Sequence, residues 1–345
     1  MAIESLLLGS TVGAVLLIGL ATIAIWIASG WLEESAEVLS GYYGLPAVIQ
    51  GSIVVAIGSS FPEFSSVIFT SLTGSFDMGV GAIVGSAIFN VLVIPALSGL
   101  ATEDDLAANR AIVYKEAQFY MVAVSAIIVT FALAVIYVPV AGGSELLGEI
   151  TRPLAAIPLS LYGLYLFIQW QEVGDQEMPP DREGVALRWE WGKLLAGLVA
   201  ILIAVERLVA GVESIAITLS IPEFLAGVTI IAAATSLPDA LVSIRSARDE
   251  NGLTSLGNVL GSNTFDLLVA IPTGVLIVGT VTVDFAVAAP MMGVLTLATV
   301  LLFTLLRTDL SVSDRESYLL LVAYGLFVAW VVAETIGLTE LLHTA

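Results

Sequence analysis

The stretch AIGSSFPEFSSVIFTSLTGSFDMGVGAIVGSAIFNVLVIPAL, Ala56 to Leu97, holds a carboxylate and a carboxamide within sequence otherwise apolar enough for a bilayer. It occurs twice. A gapless shift of 176 positions lays Ala56, Ser60, Pro62, Glu63, Gly81, Gly85, Ser86, Phe89 and Asn90 on Ala232, Ser236, Pro238, Asp239, Gly257, Gly261, Ser262, Phe265 and Asp266. Only the acid at Glu63 and the amide at Asn90 are exchanged, each for a close relative. Polar groups are therefore duplicated together with packing residues.

An ionised carboxylate at membrane depth costs several kcal/mol and persists where it faces a partner or a water-filled cavity. Ser59 with Glu63, Ser86 with Asn90, Thr235 with Asp239, and Ser262 with Asp266 stand four residues apart, so each pair shares one helix face. Pro62 and Pro238 have no N–H for the carbonyls of Gly58 and Ala234, so both helices are expected to break just before their acid. Broken backbone at membrane depth lines a cavity or is buried in protein, and a matched pair of broken helices points to a transporter site. Carboxylates, hydroxyls, an amide and carbonyls are hard donors that suit calcium, magnesium or alkali cations. Zinc and copper are disfavoured, because the chain has no Cys and one His, His343, near the terminus and without an assigned role. Hydroxyls in membrane helices also bond back to the preceding turn or pack helices together. That reading competes at any single Ser or Thr, but leaves the acids idle.

Of the 345 residues 58% are hydrophobic and 12% charged, which describes a polytopic membrane protein. The net charge of −20 comes mainly from loop and helix-end acids such as Glu103, Asp104, Asp105, Asp175, Glu177, Asp181 and Glu183, against two lysines, Lys115 and Lys193. A nucleic-acid footprint is missing. Acids spread over many loops read as the salt-tolerant surface of a halophilic prokaryote rather than a calcium funnel. Without Cys there is no disulfide or thiol chemistry. The first apolar run lacks a basic leader and is too long for a cleaved signal, so it is expected to stay as a helix.

Counting about twenty apolar residues per crossing gives an all-α integral membrane protein of ten transmembrane helices, the second and seventh broken. They are expected at Leu6–Trp31, continuing into the acids Glu33, Glu34 and Glu37; from Pro46 to Thr73; Val80–Leu100; Ala117–Val138; and Pro153–Trp170. The second set is Leu194–Leu219, Pro222–Arg245, Leu253–Thr280, Phe285–Leu306 and Ser317–Ile336. This divides the chain into a five-helix repeat at 1–170, a short cytoplasmic linker at 171–190 and a second repeat at 191–345. Five helices is an odd number, so the copies enter the membrane in opposite directions as an inverted repeat. Arg110, Lys115, Arg182, Arg188, Lys193, Arg245, Arg248, Arg307 and Arg315 fall on one side, which places both termini outside the cytoplasm; Arg152 and Arg207 fall elsewhere. Trp31, Trp170, Trp189, Trp191 and Trp330 read as interfacial anchors. Glu37 and Glu213 match across the repeat and read as water-facing acids, with ion gating as the sharper alternative.

GSSFPE followed 27 positions after its Glu by the Asn of GSAIFN, and ATSLPD followed 27 positions after its Asp by the Asp of GSNTFD, resemble the two alpha repeats of the sodium/calcium exchanger family. The resemblance implies a central cation site of Glu63, Asn90, Asp239 and Asp266. It also implies sodium sites completed by Ser59, Ser60, Ser86, Thr235, Ser236 and Ser262 and the carbonyls of Ala56 and Ala232. Ser59 stands where the family often has Thr, and Asp239 where many members have Glu, a feature similar to the potassium-dependent branch. The expected activity is a sodium/calcium antiporter of the plasma membrane, exporting calcium by alternating access, with helices one and six moving against the rest. It is not an enzyme, and it needs no cofactor and no obligate protein partner beyond its cations and the bilayer. Calcium is expected chiefly on Glu63 and Asp239, with a proton on Asp266 to offset the remaining charge. The alternatives are potassium-dependent exchange, proton/cation antiport, a channel, and an intramembrane aspartyl protease using Asp239 and Asp266. The protease reading leaves Glu63 and Asn90 without a role.

Overall fold

The computed structural model describes residues 10–44, 54, 56–142, 146–173, 186–249 and 251–339. Helix α1 spans Thr11–Tyr42, capped by Ser10, whose hydroxyl accepts from the Gly13 N–H at 3.1 Å. Next, α2 is described as a turn at Ala56–Ser59 and a helix at Phe61–Thr73, closed by Gly74 at φ 89°. It is followed by α3 (Phe76–Leu100), α4 (Ile112–Tyr137), α5 (Arg152–Val173) and α6 (Leu187–Leu219). The bent α7 comprises Glu223–Thr235 and Leu237–Arg248, and α8 (Gly252–Val278), α9 (Phe285–Asp309) and α10 (Asp314–Thr335) complete the chain.

Among the described residues, eight helices are long and apolar enough to cross a membrane, and α7, bent by 44°, makes a ninth. The expected start of the second helix, most of the linker and His343 lie outside those residues. Outer faces stay apolar, as at Leu20, Leu297 and Leu326, each more than 60% exposed. Such faces suit lipid rather than water. Trp31, Trp170, Trp189 and Trp191 are exposed. Trp330, five residues before the end of α10, packs against the core with its indole nitrogen buried.

Helix α1 runs past its expected end at Trp31 because Glu33, Glu34 and Glu37 continue it. At 1.5 Å per residue its 32 residues are about 48 Å long, well beyond a hydrocarbon core of about 30 Å. Glu34 and Glu37 are exposed, while Glu33 is partly buried.

The fold is all-helical apart from two short antiparallel ribbons that join the halves. Strand β1 (Leu106–Ala107) pairs with β4 (Ser311–Val312), and β2 (Leu147–Thr151) with β3 (Thr280–Asp284). In β3 alternation is the cause: Val281 and Val283 are buried, while Thr280 and Thr282 face out. Each ribbon takes one strand from each half. Exchanging the halves carries β1, after α3, onto β3, after α8, and carries β4, between α9 and α10, onto β2, between α4 and α5.

Two cores result. The larger joins α3, α4, α5, α8 and α9; the smaller is built mainly from α1 and α6, which pack chiefly on each other. Helix α3 is buried almost throughout its length. It crosses α7 at backbone contact, since a Cβ on Gly81 would strike the Phe224 carbonyl and one on Gly85 the Val228 carbonyl. Small residues four apart permit that approach.

Candidate cation site

The two breaks fall at Ser60 and Ser236, one residue before the turn carrying Pro62 with Glu63 and Pro238 with Asp239. Both serines occupy the same place in their repeats. Each first turn closes normally, with Ser60 N–H donating to Ala56 O and Ser236 N–H to Ala232 O, both at 3.0 Å. Ala232 O accepts that one bond, whereas Ala56 O also accepts from the Ser59 hydroxyl at 3.3 Å, so an ion contact at Ala56 would have to displace that hydroxyl. Gly58 and Ala234 are the carbonyls that lose a donor to proline.

Four elements converge between the breaks. Glu63, Ser59 and Ser60 come from α2; Ser86 and Asn90 from α3; Thr235, Ser236 and Asp239 from α7; Ser262 and Asp266 from α8. All ten side chains have no solvent exposure. The repeat is visible in their bonds. Ser86 Oγ donates to Glu63 Oε1 at 3.4 Å, and its counterpart Ser262 Oγ donates to Asp239 Oδ1 at 3.4 Å. Ser236 Oγ donates to Ser86 Oγ at 2.8 Å, linking the halves. Ser59 Oγ meets Ser262 Oγ at 3.1 Å and also lies 3.3 Å from Ala56 O. Thr235 bonds back to Ile231 O at 3.1 Å.

Asparagine breaks the symmetry. Asn90 Nδ2 donates to Asp239 Oδ2 at 2.9 Å and to Asn263 Oδ1 at 3.0 Å. Two acceptors on the nitrogen fix the amide's orientation. Asn263 is itself oriented by donating to Ala87 O and Tyr120 Oη, each at 3.2 Å. Asn258 accepts from Ser59 Oγ at 3.3 Å and donates to Ser243 Oγ at 3.2 Å. Asn258 and Asn263 were absent from the sequence-based site, although Asn263 lies inside GSNTFD and Asn258 stands four residues before Ser262. That spacing is the signal that could have found Asn258.

What remains unpaired is informative. Glu63 Oε2, Asn90 Oδ1, both oxygens of Asp266 and Ser60 Oγ are buried without a hydrogen-bond partner. Buried polar groups are almost always satisfied, and a set of orphaned oxygens from three helices is a donor set for a hard cation. Asp266 faces the charges of Glu63 and Asp239. Among the described residues no three acidic, His or Cys side chains stand close enough to hold one metal ion by themselves. Any ion here draws on amide and hydroxyl oxygens as well as carboxylates. Asp266 also opens a wide turn, Asp266–Ala270, where the Ile271 N–H reaches back five residues to Asp266 O. Pro272, without an N–H for Leu268, explains the widening.

Broken helices in both halves, meeting in a membrane around acids, an amide and hydroxyls, define a secondary ion transporter. The chain belongs to the sodium/calcium exchanger family: it matches the family described as sodium/calcium exchanger protein over residues 13–171 and again over 189–333. It is a multi-pass membrane antiporter for cations and not an enzyme. Asp239 and Asp266 share no hydrogen bond, as a protease dyad would.

An uncharacterized membrane protein of Methanocaldococcus jannaschii is 28% identical over 287 residues, covering 82% of this chain and 87% of that protein. Inner membrane protein YrbG of Escherichia coli is 34% identical over 100 residues, 28% of this chain and 31% of its own length. Sodium/potassium/calcium exchanger 3 of Homo sapiens is 34% identical over 107 residues, 30% of this chain and 16% of its own length. Among solved structures, the sodium-calcium exchanger NCX_Mj superimposes with a TM-score of 0.64 at 23% identity, covering 93% of this chain and 99% of that one. Native YfkE superimposes with a TM-score of 0.70 at 16% identity, covering 91% of each.

Proposed function

We propose that this chain exports calcium from the cell in exchange for sodium, both ions using one site at mid-membrane. The observation that carries the reading is the set of orphaned oxygens on Ser60, Glu63, Asn90 and Asp266. Glu63, Asn90, Asp239 and Asp266 form the central site, with calcium on Glu63 and Asp239, one acid from each repeat. Sodium ions use Asp266, the hydroxyls of Ser59, Ser60, Ser86, Thr235, Ser236 and Ser262, and the carbonyls of Ala56 and Ala232. Three carboxylates offset several sodium ions or one calcium, but not both loads together, so the ions exclude each other. A proton on Asp266 offsets the charge left over beside calcium.

The architecture proposed is ten helices in two inverted repeats, 1–170 and 191–345, joined by a cytoplasmic linker at 171–190. Both termini lie outside the cytoplasm of a plasma membrane. The exchange of the two β-ribbons between halves supports that symmetry, as do the matching breaks at Ser60 and Ser236. Alternating access follows if the α1–α6 pair moves against the remaining helices, with an uncompensated site opposing the movement and a neutralised one permitting it.

The test is calcium-45 uptake into sodium-loaded proteoliposomes diluted into sodium-free buffer, with and without potassium and with a pH gradient as a separate drive. Uptake that needs internal sodium and ignores potassium is expected. A potassium requirement would move the coupling to the potassium-dependent scheme, and uptake driven by protons alone would overturn it. Glu63→Ala and Asp239→Ala each abolish calcium flux; normal exchange in either would refute the site.

A further inference from the structure

Glu33 on α1 belongs to none of the groups above, yet it stands beside both broken helices. A Cβ built on Gly58 would lie 3.9 Å from its Cγ, so its stem rests on the turn before Pro62. With Pro238 it lines a narrow cleft between α1 and α7, and Asp239 is near enough for its charge to act on Glu33. The cleft opens into a cavity of about 540 Å³ whose lining includes Glu33, Glu34, Glu37, Val242, Arg245 and Asp249. Arg245 brings a positive charge to this cavity, and Lys193 of α6 pairs with Glu34. The balance is acidic. Glu33 Oε1 is buried and has no hydrogen-bond partner, so the innermost acid of the cavity holds an oxygen that nothing in the protein satisfies. The partner position of Glu33 in the second half is Val209, so no acid stands at the equivalent place there.

We propose that Glu33 is an access carboxylate, a transient cation-binding position that receives sodium and calcium from the acidic cavity and passes them to Asp239. This rests on the cation-exchange reading above and adds a station on the face where α1 ends, the cytoplasmic face in the proposed orientation. An acid at the neck of a low-dielectric cleft concentrates cations and speeds their arrival. Its absence from the opposite half makes the two faces kinetically unequal.

The chain has no Cys, so Val242→Cys, in the cavity wall, reports the local potential without background. Cationic and anionic methanethiosulfonate reagents are reacted with this variant at alkaline pH, where the buried carboxyl is ionised, with and without Glu33→Gln. With Glu33 present the cationic reagent reacts faster, and Glu33→Gln reduces that preference by about tenfold, the low end of electrostatic focusing. In flux, Glu33→Gln raises the calcium needed for half-maximal exchange at the cavity face by a similar factor and leaves the other face unchanged. Glu33→Asp, which keeps the charge, retains most of both effects. An unchanged reagent preference, or a shift equal at both faces, overturns the proposal. If wild-type protein shows no sodium-driven flux while the reagent preference still depends on Glu33, the exchange reading fails and the access carboxylate stands.

Discussion

In the proposed site Asn90 can offer its carbonyl oxygen to an ion only while its nitrogen is held elsewhere, and Asn263 supplies half of that hold at 3.0 Å. Asn263→Ala leaves the amide tied to Asp239 alone and free to turn. A hydrogen bond contributes about 0.5 to 1.5 kcal/mol, so the calcium concentration for half-maximal exchange is expected to rise about fivefold while the protein stays folded by thermal melting. A change within twofold would show that Asn90 orients itself. The residue also explains what the sequence could and could not reveal. Glu63, Asn90, Asp239 and Asp266 are legible because they recur in register. Asn258 and Asn263 fall opposite Ala82 and Ala87, and Glu33 opposite Val209. A comparison of two copies hides whatever only one copy has.

At the level of elements, prolines announce the breaks of α2 and α7, because the missing N–H is a property of the residue itself. The wide turn at Asp266–Ala270 is less legible: Asn90, in the equivalent place, lies in regular helix although Pro95 follows it. The ribbons are not legible for another reason. Strands of two to five residues between membrane helices acquire their pairing from the opposite half, which no local pattern displays. The α3–α7 crossing gives a direct test of packing. Gly85→Ala puts a methyl against the Val228 carbonyl, and overpacking of this kind costs about 1 to 3 kcal/mol. Its melting temperature should fall and exchange should weaken, because the same crossing sets Ser86 and Asn90 beside α7. Gly325→Ala on α10, where no atom lies within 4 Å of the new methyl, should be neutral or stabilising by up to about 1 kcal/mol through helix propensity. Equal melting of the two variants would remove the crossing from the account of the site.

For the whole molecule, if access alternates as proposed, the separation into two large cores decides which parts would move. Helices α1 and α6 share the smaller core, and Gly197 of α6 lies so close to α1 that an added Cβ would sit 3.0 Å from Ala28 O. The rest is held by the larger core and by two ribbons that join its halves. A pair bound firmly to itself and less extensively to its surroundings can slide as a unit, in the manner of shear between packed helices. Crosslinks in this Cys-free chain distinguish that unit from its surroundings. Ser75, between α2 and α3, reaches Glu213 of α6 at 3.5 Å. Bridging Ser75→Cys to Glu213→Cys with a short bifunctional thiol reagent ties α6 to the larger body, and sodium-driven calcium uptake should stop relative to the unbridged double variant and return on reduction. Bridging Ala28→Cys to Gly197→Cys ties α1 to α6 within the pair and should leave the rate within about twofold of its unbridged form, because sliding as a unit needs no motion between them. Arrest by the second bridge with free exchange under the first would reverse the assignment: the motion would then lie between α1 and α6, and the larger core would extend to α6.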